Sequence, residues 1–83
     1  MLNSEQVKDQ IRQFIVETTY APAEQLQNET LIFVEGIFDS MGFISLINFV
    51  EEKFAIKVKD TELLEENFES IHAIARYIES KLI

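Results

Sequence analysis

Apolar residues recur at helical spacing in three separate stretches of this chain, and this periodicity constrains its fold more than any other feature. A spacing of three or four residues places side chains on one face of an α-helix, whereas a half-buried strand needs strict alternation. Each stretch follows a residue that can cap a helix, namely Asn3 or Ser4, Asp39 and Ser70. The sequence therefore predicts three amphipathic helices, with apolar faces formed by Val7, Ile11, Phe14 and Ile15; by Phe43, Leu46, Ile47, Val50 and Phe54; and by Ile71, Ile74, Ala75, Ile78 and Leu82.

The bounds of these helices follow from the same pattern and from the residues that stop a helix. The first helix is predicted from Ser4 to about Thr19, because the segment Tyr20-Ala21-Pro22 ends it. The second is capped by Asp39 and runs to about Lys53. The last begins after the cap at residue 70 and continues through residue 82.

Two connections join these helices. Residues 20–38 carry several large apolar side chains, so we expect this long loop to pack over the core instead of extending into water. Residues 54–60 alternate in polarity, but a lone strand without a partner would be marginal, and we interpret them as an extended connector held by Ile56 and Val58. The apolar residues of the first connection are Leu26, Leu31, Ile32, Phe33, Val34, Ile37 and Phe38.

A short third helix is predicted before the last long helix, from Thr61 to about Glu66, with Leu63 and Leu64 facing inward. The predicted fold class is therefore all-α. It is a small four-helix bundle of three main helices and one short helix, with a long packed loop between the first and second helices. A chain of 83 residues without internal repeats or Gly/Ser linkers indicates a single domain over residues 1–83.

The charge of the chain bears on its partners and its location. Fifteen acidic and seven basic residues give a net charge of -8, which opposes binding to nucleic acid and to anionic lipid. Residues 1–16 lack the apolar core of a signal peptide, and no run reaches the roughly 18 apolar residues of a membrane span. We therefore expect a monomeric cytoplasmic protein without membrane insertion, whose partners are proteins with basic surfaces.

Ser40 combines a modifiable hydroxyl with unusual backbone freedom, because the two glycines of the chain, Gly36 and Gly42, lie on either side of it. It follows Asp39 and begins an uncharged, apolar helix. The first turn of a helix carries unpaired N–H groups and a dipole that favour negative charge, so a phosphodiester attached there would be stabilised. Without further context, Asp39-Ser40 is interpreted as a capping pair only.

Catalytic and metal-binding interpretations find little support in the sequence. A serine hydrolase or transferase needs a base beside its nucleophile, and the only histidine, His72, falls in the first turn of the last helix. We expect His72 at the surface. The acidic stretch of residues 60–69 lacks the alternating ligands and the glycine of a calcium-binding loop. The sequence therefore predicts no catalytic residue and no metal site.

The segment Asp39-Ser40-Met41 is similar to the Asp-Ser-Leu signature of the acyl carrier protein family, with Met in place of Leu. The resemblance extends from about residue 4 to the end of the chain. Further matching segments are Val50-Glu51-Glu52-Lys53-Phe54, Ala55-Ile56-Lys57-Val58, and residues 70–78, in the order and at the spacing of the family. We therefore identify the chain as resembling a small helical carrier.

This resemblance implies a non-catalytic carrier. A phosphopantetheinyl transferase would use coenzyme A and Mg²⁺ to place 4′-phosphopantetheine on the Ser40 hydroxyl, and the thiol of that group would hold an acyl or aminoacyl cargo as a thioester. The chain has no cysteine, so the reactive sulfur would arrive with the prosthetic group. Further implied partners are an acyl- or aminoacyl-loading ligase and a downstream acyltransferase or synthase of lipid or secondary-metabolite biosynthesis.

Residues 40–50 depart from the fatty-acid carriers of the family, which display carboxylates along the helix after the modified serine. This chain has none there. Because exposed ion pairs contribute little and are screened by salt, we expect an apolar partner interface with weak salt sensitivity. The residues predicted for partner recognition are Asp39, which also helps the transferase, Met41, Phe43, Ile44, Glu51 and Glu52.

Two further expectations concern cargo and mode of action. Residues 36–42 resemble those of discrete carriers dedicated to one pathway, including aminoacyl, D-alanyl and stand-alone peptidyl-type carriers. Seven Phe residues predict a filled core with little room for a long acyl chain, which favours a small or polar cargo. The alternative is an unmodified helical adaptor that binds a protein partner through the apolar side at Met41 and Ile44.

Overall fold

The computed structural model of the chain describes residues 3–20 and 22–82, and within these ranges it is helical without strands. Ala21, part of the predicted stop of the first helix, lies outside the described residues. The first helix, α1 (Ser4–Thr19), packs against the last, α4 (Ile71–Leu82), and the short helix α3 (Glu65–Phe68) leads directly into α4. The predicted all-α fold with four helices is confirmed. Its helices are α1 (Ser4–Thr19), α2 (Ser40–Phe54), α3 (Glu65–Phe68) and α4 (Ile71–Leu82), with 3₁₀ helices at Ala23–Gln25 and Asp60–Glu62.

Side chains cap the long helices where the sequence predicts. Asn3, one of the two predicted candidates, caps α1: its Oδ1 accepts from the N–H of Gln6 at 2.8 Å, while Gln6 Oε1 accepts from the N–H of Asn3 at 2.9 Å. Ser70 caps α4, because its Oγ accepts from the N–H of Ala73 at 3.1 Å. These caps satisfy donors that a helix leaves unpaired in its first turn.

The long loop between α1 and α2 covers the core, as predicted. Its residues Leu26, Ile32 and Phe38 are buried beside the apolar faces of the three long helices. Two of its apolar residues do not share in this burial, because Leu31 is 39% exposed and Val34 is 70% exposed. Tight turns over residues 31–36 place Val34 at the tip of the loop, where it cannot reach the core. Leu82, predicted on the inner face of α4, is also about half exposed at the helix end.

Hydrogen bonds fasten this loop to two helices. The N–H of Ile32 donates to the carbonyl of Glu69 at 2.9 Å, and the N–H of His72 donates to the carbonyl of Asn28 at 2.9 Å. Arg12 on α1 donates through Nε to the carbonyl of Leu26 at 3.3 Å and through its guanidinium to Asn28 Oδ1. The loop is therefore fixed both by burial and by backbone pairing.

The predicted short helix of residues 61–66 is wrong in its bounds. The chain forms a 3₁₀ turn at Asp60–Glu62, passes through extended backbone at Leu64, and only then forms α3. Leu63 and Leu64, predicted to face inward, are 39% and 48% exposed. The buried residue of this region is Phe68, and a later start of the helix brings Phe68 into the core.

The connector between α2 and the 3₁₀ turn agrees with its prediction. Ala55 adopts a left-handed conformation, with φ of 55°, which ends α2 and turns the chain into the connector. Ile56 and Val58 are partly buried against the core, and the N–H of Val58 donates to Glu51 Oε2 at 2.9 Å. Across residues 3–20 and 22–82, no helix is both long and apolar enough to cross a membrane.

Candidate functional site

Ser40 is the first residue of α2 and is exposed to solvent. Asp39 precedes it as the predicted cap: its Oδ1 accepts from the N–H of Gly42 at 2.9 Å, and its carbonyl accepts from the N–H of Phe43 at 2.9 Å. The N–H groups of Ser40 and Met41 lie before the first bonds of the helix and have no carbonyl partner within it. The Ser40 hydroxyl therefore stands in the positive field of the helix N-terminus.

The two glycines that flank Ser40 have different structural roles. Gly36 adopts φ of 76°, a left-handed conformation that favours glycine, and its N–H donates to the carbonyl of Phe33 at 3.1 Å. Gly42 lies inside α2, where a Cβ would approach Cδ1 of Phe38 to 2.5 Å. Gly36 thus supplies backbone freedom, whereas Gly42 supplies space for a buried ring two residues before Ser40.

An open groove of about 550 Å³ lies beside the Ser40 hydroxyl. The loop contributes one wall, α2 contributes the base, and the segment before α3 contributes the opposite wall. Its polar groups are the Ser40 hydroxyl and two carboxylates, and its other side chains are apolar. The lining residues are Phe33, Asp39, Ser40, Phe43, Ile44, Leu63 and Glu65.

Aromatic rings separate this groove from the interior. Phe43 contacts Phe33 edge to face, with centroids 5.6 Å apart, and contacts Phe68 in the same way, also at 5.6 Å. Phe68 is fully buried and lies 5.0 Å from the ring of Tyr77. A ligand in the groove therefore meets the rings of Phe33 and Phe43, and the buried ring of Phe68 lies behind Phe43.

A second, smaller hollow of about 350 Å³ lies on the other side of the first turn of α2. The end of α1 and the loop form it together with α2, and Asp39 borders both it and the groove. Its lining includes several hydroxyl groups and no basic side chain. The lining residues are Thr18, Thr19, Gly36, Ile37, Phe38, Asp39, Met41, Gly42 and Ser45.

The surface of α2 beside Ser40 is apolar and exposed. Met41 and Ile44 are 71% and 56% exposed, while Phe43 is only partly buried and turns toward the groove. Residues 40–50 contain no charged side chain, so this surface presents hydrocarbon and uncharged polar groups to a partner. Of the residues predicted for recognition, Asp39, Met41, Phe43 and Ile44 lie together around Ser40.

Glu51 and Glu52, also predicted for recognition, lie in the last turn of α2 and do not join this group. At 1.5 Å per residue they are about 17 Å along the helix axis from Ser40. Glu51 is partly buried, and its carboxylate accepts the Val58 N–H, which holds the connector. Any partner contact by these two residues would thus be peripheral to the Ser40 surface.

Phe33 and the pair Leu63 and Glu65 line the groove but were missed as site residues. They lie far from Ser40 in sequence, and no motif marks them. The Leu63-Leu64 pair after an acidic turn was a usable signal, but it was interpreted as part of a buried helix face. His72, predicted at the surface, is exposed, and over residues 3–20 and 22–82 no cluster of three or more His, Cys, Asp or Glu could hold a metal ion.

Comparison with known proteins decides the family. The family model for the phosphopantetheine attachment site matches residues 9–78, a range that includes Ser40 and all of α2. An acyl carrier protein from Campylobacter curvus (strain 525.92) is 33% identical over 73 residues, which cover 88% of this chain and 92% of the relative. The chain belongs to the acyl carrier protein family. Acyl carrier proteins are non-catalytic carriers, so a carrier role and a 4′-phosphopantetheine prosthetic group follow from this membership.

The surroundings of Ser40 fit such a prosthetic group. The hydroxyl is exposed at a helix N-terminus, where first-turn N–H groups and the helix dipole stabilise a phosphate. The adjoining groove offers room and apolar side chains for the arm that a phosphodiester would carry. The positive helix N-terminus and the apolar groove are both formed by residues of this chain.

Proposed function

We propose that Ser40 is the attachment point of 4′-phosphopantetheine and that the chain carries an acyl or aminoacyl cargo between partner enzymes. The observation that supports this most is the position of Ser40, an exposed hydroxyl at the first residue of α2 beside an apolar groove, within the family match. A phosphopantetheinyl transferase would supply the group from coenzyme A with Mg²⁺.

The chemistry of attachment assigns distinct tasks to the residues of this chain. Ser40 Oγ forms a phosphoester bond, its proton passes to a base of the transferase, and the pyrophosphate bond of coenzyme A breaks as adenosine 3′,5′-bisphosphate leaves. Asp39 holds the first turn of α2 in place through Gly42, and the N–H groups of that turn favour the new negative charge. When attached, the group supplies the thiol that holds cargo as a thioester.

The groove favours a small or polar cargo. Its floor consists of Phe43 in edge contact with Phe33 and Phe68, so a long acyl chain would have to displace packed rings to enter the core. This property suits a discrete carrier dedicated to one pathway, such as an aminoacyl or peptidyl-type carrier. If thioesters of acetyl and octanoyl groups hydrolyse at similar rates, the cargo stays outside the core; strong protection of the octanoyl thioester alone would contradict this.

The partner surface comprises Met41 and Ile44, with Asp39 and Phe43 at its border. Because Met41 and Ile44 carry no charge, binding to a loading ligase or a downstream acyltransferase or synthase should weaken little with added salt. Glu51 and Glu52 would add only peripheral contacts. We expect the carrier to act as a cytoplasmic monomer, without nucleic acid or membrane insertion.

Intact mass distinguishes this function from an unmodified adaptor that binds through the same apolar side. The chain is incubated with coenzyme A, Mg²⁺ and a broad-specificity transferase, and its mass is measured. We expect a gain of one phosphopantetheine per chain. A chain that stays at its original mass, while a known carrier in the same reaction is modified, would contradict attachment and favour the adaptor.

A further inference from the structure

The carboxylate of Glu62, which lies outside the partner surface, accepts hydrogen bonds from two parts of the chain. Glu62 Oε1 accepts from the N–H of Lys59, from the hydroxyl of Tyr77 and from Nζ of Lys81, each at 3.0 Å. Its Oε2 lies 3.3 Å from the same Nζ, and its carbonyl accepts from Nδ2 of Asn67 at 2.9 Å. Glu62 thus joins the 3₁₀ turn of Asp60–Glu62 to α3 and α4.

The surroundings of this cluster strengthen its bonds. The side chains of Glu62 and Lys81 are only 29% and 21% exposed, so solvent screens their ion pair less than it screens a pair on an open surface. The bond from Lys59, followed by that from Lys81, lowers the pKa of Glu62 to about 2, so the carboxylate stays charged. Burial, with the bond to Glu62, raises the pKa of Tyr77 to about 12, so its hydroxyl stays a donor.

Leu63 follows Glu62 directly in the chain and lines the groove opposite the loop wall. It is 39% exposed and Leu64 is 48% exposed, so burial of these side chains does little to hold the segment. The nearest buried side chain beyond them is Phe68 in α3. Between the partly buried Val58 and the buried Phe68, polar bonds to Glu62 are therefore the main hold on this wall of the groove.

We propose that Glu62 is a positioning residue for the Ser40 site: its carboxylate ties residues 59–63 to α4 and so fixes Leu63 as the outer wall of the groove. Breaking the tie lets Leu63 move away from α2 and widens the groove over Phe43. The effect on cargo size rests on the proposed function, because only an attached arm brings cargo to this groove. The tie itself exists in the unmodified chain.

Backbone amide exchange measured by NMR on the unmodified chain tests this tie. Glu62→Ala removes the carboxylate that accepts from Lys59, Tyr77 and Lys81. The amides of Glu62 and Leu63 should then exchange about tenfold faster or more, because charge-assisted bonds are lost. The methyl resonances of Leu63 should move toward unfolded-chain values, while those of Ile32 stay in place. Glu66→Ala is the matched control: it removes a nearby exposed carboxylate that bonds to nothing within residues 3–20 and 22–82, and it should leave both signals unchanged.

Conservative variants keep the test informative if Glu62→Ala folds poorly. Glu62→Gln retains an oxygen that can accept from Lys59 and Tyr77 but loses the ion pair, so its exchange should lie between that of wild type and that of the alanine variant. Lys81→Met also removes the ion pair, so the amide exchange of Leu63 in this variant should be similar to that in Glu62→Gln. Unchanged exchange at Leu63 in all three variants would overturn the proposal, as would equal acceleration across α1, α2 and α4, which would mean that Glu62 contributes only to global stability.

The result is separable from the outcome of Ser40 modification. Ser40→Ala removes the proposed attachment point but leaves the tie intact, so introducing Glu62→Ala into that variant should accelerate exchange at Leu63 to the same extent. If the double variant shows the acceleration while wild type gains no mass with the transferase, the tie holds and attachment fails. If wild type gains the mass of phosphopantetheine while the double variant shows no acceleration at Leu63, attachment holds and the tie is overturned.

Discussion

The two connections that border the groove beside Ser40 are held in place by different forces. The loop between α1 and α2 is held by burial of Leu26, Ile32 and Phe38 and by backbone bonds to Glu69 and to His72 at the start of α4. The segment between α2 and α3 packs Ile56 and Val58 only partly against the core and leaves Leu63 and Leu64 exposed. Carboxylates hold it in addition, because Glu51 bonds to Val58 and Glu62 bonds to Tyr77 and Lys81 of α4.

One groove can thus have a wall fixed by burial and a wall that moves when a few polar bonds break. The loop wall, which includes Phe33, cannot move without exposing core residues to water. The Leu63 wall can move when a few polar bonds break, and the core stays packed. Substitutions in the loop should therefore cost more stability than substitutions in the segment between α2 and α3.

The largest effect is expected from Ile32→Ala in the loop. Ile32 is fully buried, so removing most of its side chain leaves a cavity that should destabilise the chain by about 2–5 kcal/mol. The cavity lies where the carbonyl of Ile32 accepts from the N–H groups of Ile37 and Phe38. Urea unfolding followed by circular dichroism measures the free energy of unfolding. Val34→Ala, at the exposed tip of the same loop, should stay within about 0.5 kcal/mol of wild type. Equal effects of the two substitutions would contradict the claim that burial of Ile32 holds the loop in place.

A smaller effect is expected where the loop meets α2. Asp39→Ala removes the cap on the Gly42 N–H and should cost about 1 kcal/mol in the free energy of unfolding. Asp39→Asn keeps an acceptor oxygen and should cost only a few tenths of that amount. If the alanine variant is as stable as the asparagine variant, the cap contributes nothing. Modification of Ser40 should slow most in the alanine variant, because the first turn is less well held.

The smallest effect concerns the second connection and depends on pH. The pKa of Glu62 is lowered from 4.5 to about 2, so the stability it contributes at neutral pH is lost as pH falls from about 4.5 to about 2. The raised pKa of Tyr77 matters at alkaline pH, because the stability that its protonated hydroxyl contributes is lost as pH rises from about 10 to about 12. The difference in unfolding free energy between wild type and Glu62→Gln should therefore shrink toward acid pH. A difference that does not change with pH would contradict this role.

Sequence alone predicts most of the fold and the centre of the site. Apolar periodicity marks the three long helices, and the capping residues Asp39 and Ser70 mark two of their starts, because both signals are local in the chain. The burial of the loop is predictable from its apolar content. Ser40 and its immediate neighbours Asp39 and Met41 are identifiable because they form one continuous segment.

The parts that sequence does not predict depend on long-range contacts. Glu62 bonds to Tyr77 and Lys81, which lie 15 and 19 residues away, and no periodic pattern connects them. The 3₁₀ turn ends at Glu62 and the backbone at Leu64 is extended, so Leu63 does not lie on a helix face. Its predicted inward placement therefore fails. The groove was not predictable for the same reason, because its walls come from separate connections.

Ser40 alone is proposed to carry the prosthetic group, and the intact mass of two variants tests this attachment. Ser40→Ala and Ser45→Ala are treated in parallel with coenzyme A, Mg²⁺ and a broad-specificity transferase; Ser45 is the matched control because it is also exposed on α2. We predict that Ser45→Ala gains the mass of one phosphopantetheine and that Ser40→Ala, still folded, gains none. Modification of Ser40→Ala, or its absence in Ser45→Ala and wild type alike, would contradict the claim.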